Sequence, residues 1–305
     1  MAGGAVALLT SASDDPAPAR FGPPIAAARS VITAPIPPPL AVTERELPFV
    51  ALGEHYRVHT DVSVEIARQA VEWLDDIHAS LVERFGAEPV PRTSDRRLPT
   101  LVFSHSDVYR RRPESSLIKW PVDEVGREFL GFFHPAFGLA HSRARPDSSF
   151  RRILVHEAAH QFHALTMGFE GPKWFVEGVA ENLEHDLGCL TELRDCEYHQ
   201  LQLSHAVRVV LARDFDLSLA LWGDPLRGCR VDFDRRSAGF AIVRFLREGA
   251  SGRYATWYRS FEARRSVGER PPRSFDVHGR TKRMEHELLA FVRSHHWWHP
   301  WDRPP

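Results

Sequence analysis

Residues 153–184 of the chain read ILVHEAAHQFHALTMGFEGPKWFVEGVAENLE, and the spacing of the polar residues in this stretch decides how the fold is interpreted. His156 and His160 enclose Glu157 in an H-E-x-x-H pattern. On a helix, residues four positions apart are separated by about 40° around the axis and about 6 Å along it, so both imidazoles can reach one metal ion. Glu157 is rotated by about 100° from His156, so its carboxylate lies beside the ion without occupying a ligand position. The pattern therefore predicts a metal-binding helix that also carries a general base.

A third metal ligand has to come from another part of the chain, because catalytic zinc sites use three protein ligands and keep the fourth position open. Glu177 is the candidate, since sixteen residues separate it from His160 and its segment predicts a second helix after Pro172. Glu181 lies one turn further on the same face, where it could accept the free N–H of a ligand histidine. His163 also shares a face with His160, but three ligands on one straight helix would span about 10 Å. We therefore expect His163 to lie behind the ligands or in the pocket.

The segments HEAAH and WFVEGVAE resemble the gluzincin zinc metallopeptidases, and most closely the peptidase-MA-like bacterial families. The resemblance extends more weakly to four further segments: RVHTD at 57–61, LPTLVFSHSDVYR at 98–110, GFFHP at 131–135 and SAGFAIVRFLREG at 237–249. It implies an α+β fold with an N-terminal mixed or antiparallel sheet and its helices, a central zinc-binding helix pair and a C-terminal helical subdomain. It assigns one zinc ion per chain to His156, His160 and Glu177. General-base catalysis falls to Glu157, and a supporting role to Glu181.

The chain departs from the families it resembles at the position that stabilises the oxyanion. Relatives often carry a tyrosine at the start of the helix that here reads RRSAGFAIVRFL, and this chain has Arg236 near that position. Arg236 is therefore the candidate catalytic residue that stabilises the oxyanion. The other polar groups available are His185, Tyr198 and His199. No G-x-M-E-N-type segment precedes the zinc helix, which argues against a classical aminopeptidase.

These residues predict hydrolysis of a peptide bond in a peptide or protein substrate. Glu157 would take the proton from the attacking water and pass it to the leaving nitrogen, while Arg236 or a nearby His or Tyr would stabilise the oxyanion. Two alternatives stay open. One is a non-catalytic module that binds a peptide or partner protein in the same cleft, and the other is a zinc hydrolase of a non-peptide amide or ester.

The composition is that of an ordinary globular protein. The 305 residues are 43% hydrophobic and 26% charged, enough for a sizeable core, and the formal net charge of -1 predicts no nucleic-acid partner. No run of about 20 apolar residues could span a bilayer. The short apolar run at residues 5–10 lacks the basic region of a signal peptide, so the compartment and the oligomeric state stay open. Three cysteines, Cys189, Cys196 and Cys229, exclude a full disulfide framework.

Three regions are predicted along the chain. They are an Ala- and Pro-rich, poorly ordered leader at 1–44, a catalytic α/β subdomain at 45–188 and a helical subdomain at 189–305 that closes the cleft. The predicted elements are hairpins at 47–61 and 129–142, a strand at 98–104, the zinc helix at 150–167, and helices at 62–85, from 106, 190–213, 235–248, 252–265 and 283–295.

Two segments allow two interpretations each. Residues 138–142 would either pair with an extended substrate by strand addition or form an interior strand of the sheet. The tail HHWWHPWDRPP carries His295, His296 and His299 between tryptophans. It is either a second metal site or a helix end that docks through its tryptophans.

Overall fold

Five strands form one mixed sheet, and helices cover it and make up the rest of the described chain. The structure, a computed structural model, describes residues 47–90, 96–111, 119–121, 128–134, 139–145, 149–167, 172–188, 197–212, 215–222, 232–250, 252–266 and 277–294. The strands are β1 (Phe49–Leu52), β2 (Tyr56–Thr60), β3 (Leu98–Phe103), β4 (Gly131–His134) and β5 (Leu139–Arg143), in the sheet order β1-β2-β3-β5-β4. The predicted α+β class with a mixed sheet is confirmed.

Nine α-helices lie in the described ranges. They are α1 (Val64–Phe85), α2 (Ser106–Arg110), α3 (Ser149–Met167), α4 (Lys173–Leu187), α5 (Glu197–Val210), α6 (Leu217–Trp222), α7 (Asp232–Arg244), α8 (Gly252–Ser266) and α9 (Val277–Ser294), with a π-helical turn at Phe245–Gly249 after α7. α6 was not predicted, since six residues are too few to show a helical period. None of the described helices has the length and apolar character that crossing a bilayer requires.

The first hairpin forms as its alternating pattern predicts. β1 and β2 pair antiparallel, with Ala51 opposite Val58, and the inward side chains Tyr56, Val58 and Thr60 are buried. The turn between the strands is held by the carboxylate of Asp75 in α1, which accepts N–H bonds from Glu54 at 2.7 Å, His55 at 3.0 Å and Tyr56 at 3.2 Å. One acidic side chain of the first helix therefore ties that helix to the edge of the sheet.

The second hairpin decides between the two arrangements predicted for residues 138–142. β4 and β5 pair antiparallel, with Phe132 opposite His141. β5 also pairs in parallel with β3, with Leu101 opposite His141. Because strands occupy both sides of β5, the prediction that these residues pair with a substrate strand is wrong, and the interior-strand alternative is confirmed. On this side of the described sheet the edge strand is β4.

Two glycines let α4 and α7 touch backbone to backbone. A Cβ atom at Gly178 would lie 2.4 Å from the carbonyl oxygen of Gly239, and one at Gly239 would lie 2.7 Å from the carbonyl oxygen of Trp174. Side chains cannot be placed at such distances, so the close packing of α4 against α7 requires glycine at both positions. The contact sets the N-terminal part of α7, with Arg236, against the face of α4 that carries Glu177.

Gly178→Ala should lower the free energy of unfolding by at least about 1 kcal/mol, because the new methyl group would push against the backbone of α7. The higher helix propensity of alanine opposes this loss only in part. The measurement is urea unfolding followed by circular dichroism. The control is Glu72→Ala on the exposed face of α1, where we expect a change within about 0.5 kcal/mol. An equal midpoint for both variants would contradict the packing argument.

One hydrophobic cluster joins the sheet-covering helices to the C-terminal helices. It includes Leu74 of α1, Phe162 of α3, Phe240 of α7 and Leu288 of α9, all buried. The core thus crosses the division that the sequence predicts at residue 188. In α5, Leu203, Val207 and Val210 are buried and belong to the same cluster.

Several predictions fall outside the described residues. They concern the leader at 1–44, the cysteines Cys189, Cys196 and Cys229, and the tail with His295, His296 and His299.

Candidate metal centre

Three side chains from α3 and α4 converge at the predicted metal site. The Nε2 atoms of His156 and His160 lie 3.0 Å apart, and Oε2 of Glu177 lies 3.6 Å from the first and 3.8 Å from the second. A point equidistant from three such atoms is about 2.0 Å from each, which is the length of a Zn–N or Zn–O bond. The structure therefore brings the three predicted ligands together in a group that could hold a metal ion.

The hydrogen bonding and protonation of this group leave lone pairs that could bind a cation. Oε2 of Glu177 is buried and accepts no hydrogen bond from a described residue. Burial raises the pKa of Glu177, but the positive charge of Arg236 and the two facing imidazoles, His160 and His156, outweigh burial and hold the pKa below its usual range. Burial lowers the pKa of His160 to about 3, so its imidazole is neutral and keeps a lone pair for a metal. Two imidazoles and a carboxylate are the donor set of many catalytic zinc sites.

A second group of carboxylates lies behind His156 and orients its ring. Nδ1 of His156 lies 3.0 Å from Oε2 of Glu184 and 3.9 Å from Oε1 of Glu181. A hydrogen bond donated from Nδ1 to Glu184 leaves Nε2 of His156 free for a metal. Burial lowers the pKa of His156, but its contacts with Glu177 and Glu184 outweigh burial and raise the pKa well above its usual value. A metal would therefore replace a proton on this ring.

Glu184 thus lies nearer to His156 than Glu181, to which the sequence assigned the supporting role. Glu181 accepts a hydrogen bond from Nε2 of Gln202 in α5, and Glu184 pairs with Nη1 of Arg152 at 3.4 Å. The spacing does contain a signal for Glu184, because it follows Glu177 by seven residues, two helical turns along the same face. The sequence analysis nevertheless assigned the role to Glu181, and the packing of α4 against α3 places Glu184 nearer to Nδ1 of His156.

Glu184→Gln should lower the affinity for zinc by about ten- to a hundredfold, because the amide is a weaker acceptor for the N–H of His156. The affinity is measured by competition with a chromophoric chelator. Glu181→Gln is the matched control, since it makes the same change one turn earlier in α4, and we expect it to have the smaller effect. A larger loss in Glu181→Gln than in Glu184→Gln would return the supporting role to Glu181.

Glu157 lies beside the ligand group, under the edge strand of the sheet. Burial raises its pKa to about 7, and its Oε2 accepts no hydrogen bond from a described residue. A Cβ atom at Gly131 of β4 would lie 2.9 Å from both Cγ and Oε1 of Glu157 and 2.8 Å from Cγ2 of Ile153. The backbone of β4 therefore runs directly over the predicted base. Gly131 was not among the predicted site residues, although a glycine at the start of a short strand often marks a close approach of another group.

Arg236 reaches the metal group from α7. Its Nε lies 3.4 Å from Oε2 of Glu177 and its Nη1 lies 3.6 Å from Oε1 of Glu181, while the guanidinium carbon lies 5.2 Å from the centre of the Phe129 ring. Burial lowers the pKa of Arg236, but the facing carboxylates, Glu177 first, outweigh burial and raise the pKa above its usual value. The guanidinium is therefore a permanent charge at the site.

The other polar groups predicted near the site divide into two sets. Nδ1 of His185 lies 2.8 Å from Oδ1 of Asp186 and 3.0 Å from Nη1 of Arg244, so this ring is engaged elsewhere. The side chains of Tyr198 and His199 lie outside the described residues.

His163 is buried between α1 and α4, in line with the expectation that it lies behind the ligands. Its ring stacks on Phe85 at 6.0 Å and meets the edge of Phe175 at 5.4 Å. It is not part of the ligand groups that the described residues form.

No protein-family model matches the chain, and no curated protein is significantly similar to it in sequence. The function therefore has to be argued from the site itself.

Proposed function

We propose that the protein is a zinc-dependent hydrolase of peptide bonds. The observation that carries the proposal is the convergence of Nε2 of His156, Nε2 of His160 and Oε2 of Glu177 within 4.8 Å of one another, with the carboxylate of Glu157 beside them. A zinc ion held by these three atoms would supply a Lewis acid that polarises a carbonyl oxygen and makes water more acidic.

Glu157 has the surroundings that a general base needs. With a pKa of about 7 it can both take up and release a proton near neutral pH. Its Oε2 has no hydrogen-bond partner among the described residues, so the atom is available to a water molecule. Glu157 would accept the proton of the water whose oxygen attacks the carbonyl carbon. It would then deliver that proton to the leaving nitrogen as the C–N bond breaks.

The position of β4 supports a peptide substrate over other amides and esters. β4 is the edge strand on this side of the described sheet, and Gly131 brings its backbone into contact with Glu157. An extended peptide that pairs with the outer edge of β4 would carry its own backbone past Glu157. Strand addition therefore stays part of the proposal, with β4 in place of residues 138–142. An ester or a small amide lacks the extended backbone that pairs with a strand edge.

Arg236 stays the candidate for stabilising the oxyanion. A fixed positive charge beside the ligand oxygen of Glu177 is close to the position where negative charge would develop on a polarised carbonyl.

The experiment that tests the proposal combines metal analysis with a substrate screen. Purified protein is analysed for bound metal and then incubated with a peptide library, with acyl-amides and with esters, with and without a chelator. Cleavage of peptides that a chelator abolishes and zinc restores would support the proposal. Bound zinc without any turnover would favour the binding-module alternative, and turnover of amides or esters alone would favour the non-peptide hydrolase. Protein that binds no zinc would overturn both hydrolases and would leave the binding module as the remaining hypothesis.

A further inference from the structure

We propose that Arg236 binds a carboxylate of the substrate, namely the free carboxyl terminus of a peptide cleaved one or two residues before its end. The inference rests on the proposed peptide hydrolysis and narrows its substrate class to peptides that end close to the cleaved bond. Arg236 would then have a second role besides stabilising the oxyanion. Stabilising the oxyanion would affect every substrate, whereas binding a carboxylate would affect only substrates that carry one near the cleaved bond.

The guanidinium of Arg236 has hydrogen-bond donors to offer. An arginine carries five N–H donors in a planar fork that matches a carboxylate. Nε and Nη1 face Glu177 and Glu181 at 3.4 Å and 3.6 Å, as ion pairs without hydrogen bonds. Nη2 has no ion pair with a described residue, and the side chain is 28% exposed. Within the described part of the chain, the donors of Nη2 are therefore open to a ligand that arrives from solvent.

The surroundings hold this group in place before any ligand binds. Phe129 packs against the guanidinium at 5.2 Å, and the two glutamates of α4 face it from another element. A flexible side chain is thus fixed by one aromatic ring and two charges. A donor that is fixed in advance loses less conformational entropy on binding than a mobile one.

The distance along the edge strand places the carboxylate relative to the cleaved bond. Phe129, which packs on Arg236, precedes Gly131 by two residues, and Gly131 touches Glu157. Two residues of extended chain span at most about 7 Å. The N–H of Phe129 already bonds to the carbonyl of Pro121 at 3.1 Å, and its C=O accepts from Nε1 of Trp120 at 2.8 Å. A peptide beside β4 can therefore pair with Gly131 but not with Phe129. If its carbonyl lies at Glu157, its end one or two residues further on comes near Arg236.

The sign of the charge selects the direction of the peptide. A peptide antiparallel to β4 would point its carboxyl end from Gly131 toward Phe129 and Arg236, whereas a parallel one would bring its amino end there. An ammonium group would be repelled by the guanidinium, while a carboxylate accepts two of its hydrogen bonds. The positive group therefore favours antiparallel binding and release of a short carboxyl-terminal fragment.

The test compares peptides of identical sequence, all acetylated at the amino end. One ends in a free acid, one in an amide, and a third is an amide whose last residue is glutamate, which offers a side-chain carboxylate instead. We expect wild-type protein to cleave the free acid with a kcat/KM about ten- to a hundredfold above that of the plain amide, with the cut one or two residues from the end by mass spectrometry. In Arg236→Gln this ratio should fall to about one, and Arg236→Lys should restore part of it. Equal preference for the glutamate amide would overturn the assignment to the free carboxyl terminus, because a side-chain carboxylate would then serve as well.

The control Arg283→Gln removes the same charge from an exposed position on α9 and should keep the wild-type ratio. Zinc content and melting temperature are measured for every variant, so that loss of the fold or of the metal is recognised. A ratio that is one in wild type, or that stays unchanged in Arg236→Gln, would overturn the inference while peptide hydrolysis stands. A drop in kcat by the same factor for acid and amide would assign Arg236 to the oxyanion alone.

A binding measurement decides the inference even when no peptide is cleaved. The same acid and amide are titrated into zinc-loaded Glu157→Gln protein by calorimetry. The acid should bind about tenfold more tightly, and the additional change Arg236→Gln should remove the difference. Equal affinities in Glu157→Gln protein would overturn the inference. Failure of wild-type protein to cleave any peptide would count separately, against the proposed function.

Discussion

Glu157→Gln should retain one zinc ion per chain and lower peptide hydrolysis by about a hundred- to ten-thousandfold. The amide keeps the size and shape of the carboxylate but cannot accept the proton of water, and this is the range that general-base catalysis contributes. The ligand atoms belong to His156, His160 and Glu177 and are not changed. The measurement is kcat/KM on a peptide that the wild-type protein cleaves, together with metal content.

The metal-free form of the same variant provides a second, independent result. Burial raises the pKa of Glu157 from 4.5 to about 7, so its ionised form is disfavoured by folding. Glu157 should therefore contribute a loss of stability of up to about 3 kcal/mol as the pH rises from about 5 to above 7, and the loss measured for wild-type protein should be reduced by this contribution in Glu157→Gln. The control is Glu83→Gln on the exposed face of α1, which should match wild type in activity and in pH dependence. Undiminished turnover in Glu157→Gln would remove Glu157 from the reaction.

We expect His160→Ala to lose the proposed metal. With one of three ligands gone, we expect the affinity for zinc to fall by at least about a thousandfold, because the remaining pair cannot complete a tetrahedral site. Wild-type protein should melt at a higher temperature with zinc than without, since a ligand at a thousand times its Kd stabilises the fold by about 4 kcal/mol. His160→Ala should show no such shift. Metal analysis and thermal melts with and without zinc measure both effects.

His163→Ala is the matched control for this prediction. It removes the same ring three residues further along α3, where the imidazole packs between Phe85 and Phe175. We expect this variant to lose packing energy and to keep one zinc ion per chain. The opposite result, with zinc kept in His160→Ala and lost in His163→Ala, would show that the ligand set is wrong.

The parts of the site that the sequence predicts well are those set by short helical spacings. His156, Glu157 and His160 lie within five residues, so the geometry of one helix determines their arrangement. The prediction that Glu177 joins them needed only one further assumption, namely that the second helix packs beside the first. The loop between the two helices is short, so few arrangements are open to them.

The parts that the sequence did not predict depend on how separate elements meet. Whether residues 138–142 lie at an edge or inside the sheet depends on pairing with β3, whose Leu101 is forty residues away from His141. Which acidic residue meets Nδ1 of His156 depends on the crossing of α3 and α4, which no local pattern contains. The contact of Gly131 with Glu157 likewise joins a strand to a helix. Each of these is set by tertiary packing rather than by spacing along the chain.

The pairing of β3 with β5 also has a consequence for the order in which the protein folds. β4 and β5 form a local hairpin that closes quickly, but its attachment to β3 requires closing a loop of about forty residues, which costs chain entropy before any contact repays it. We therefore expect this hairpin to join the sheet late and to detach first in transient openings. Amide hydrogens of β5 should then exchange with solvent before those of β2. β4, the strand whose edge would bind a peptide, is therefore expected to be among the last parts of the sheet to form.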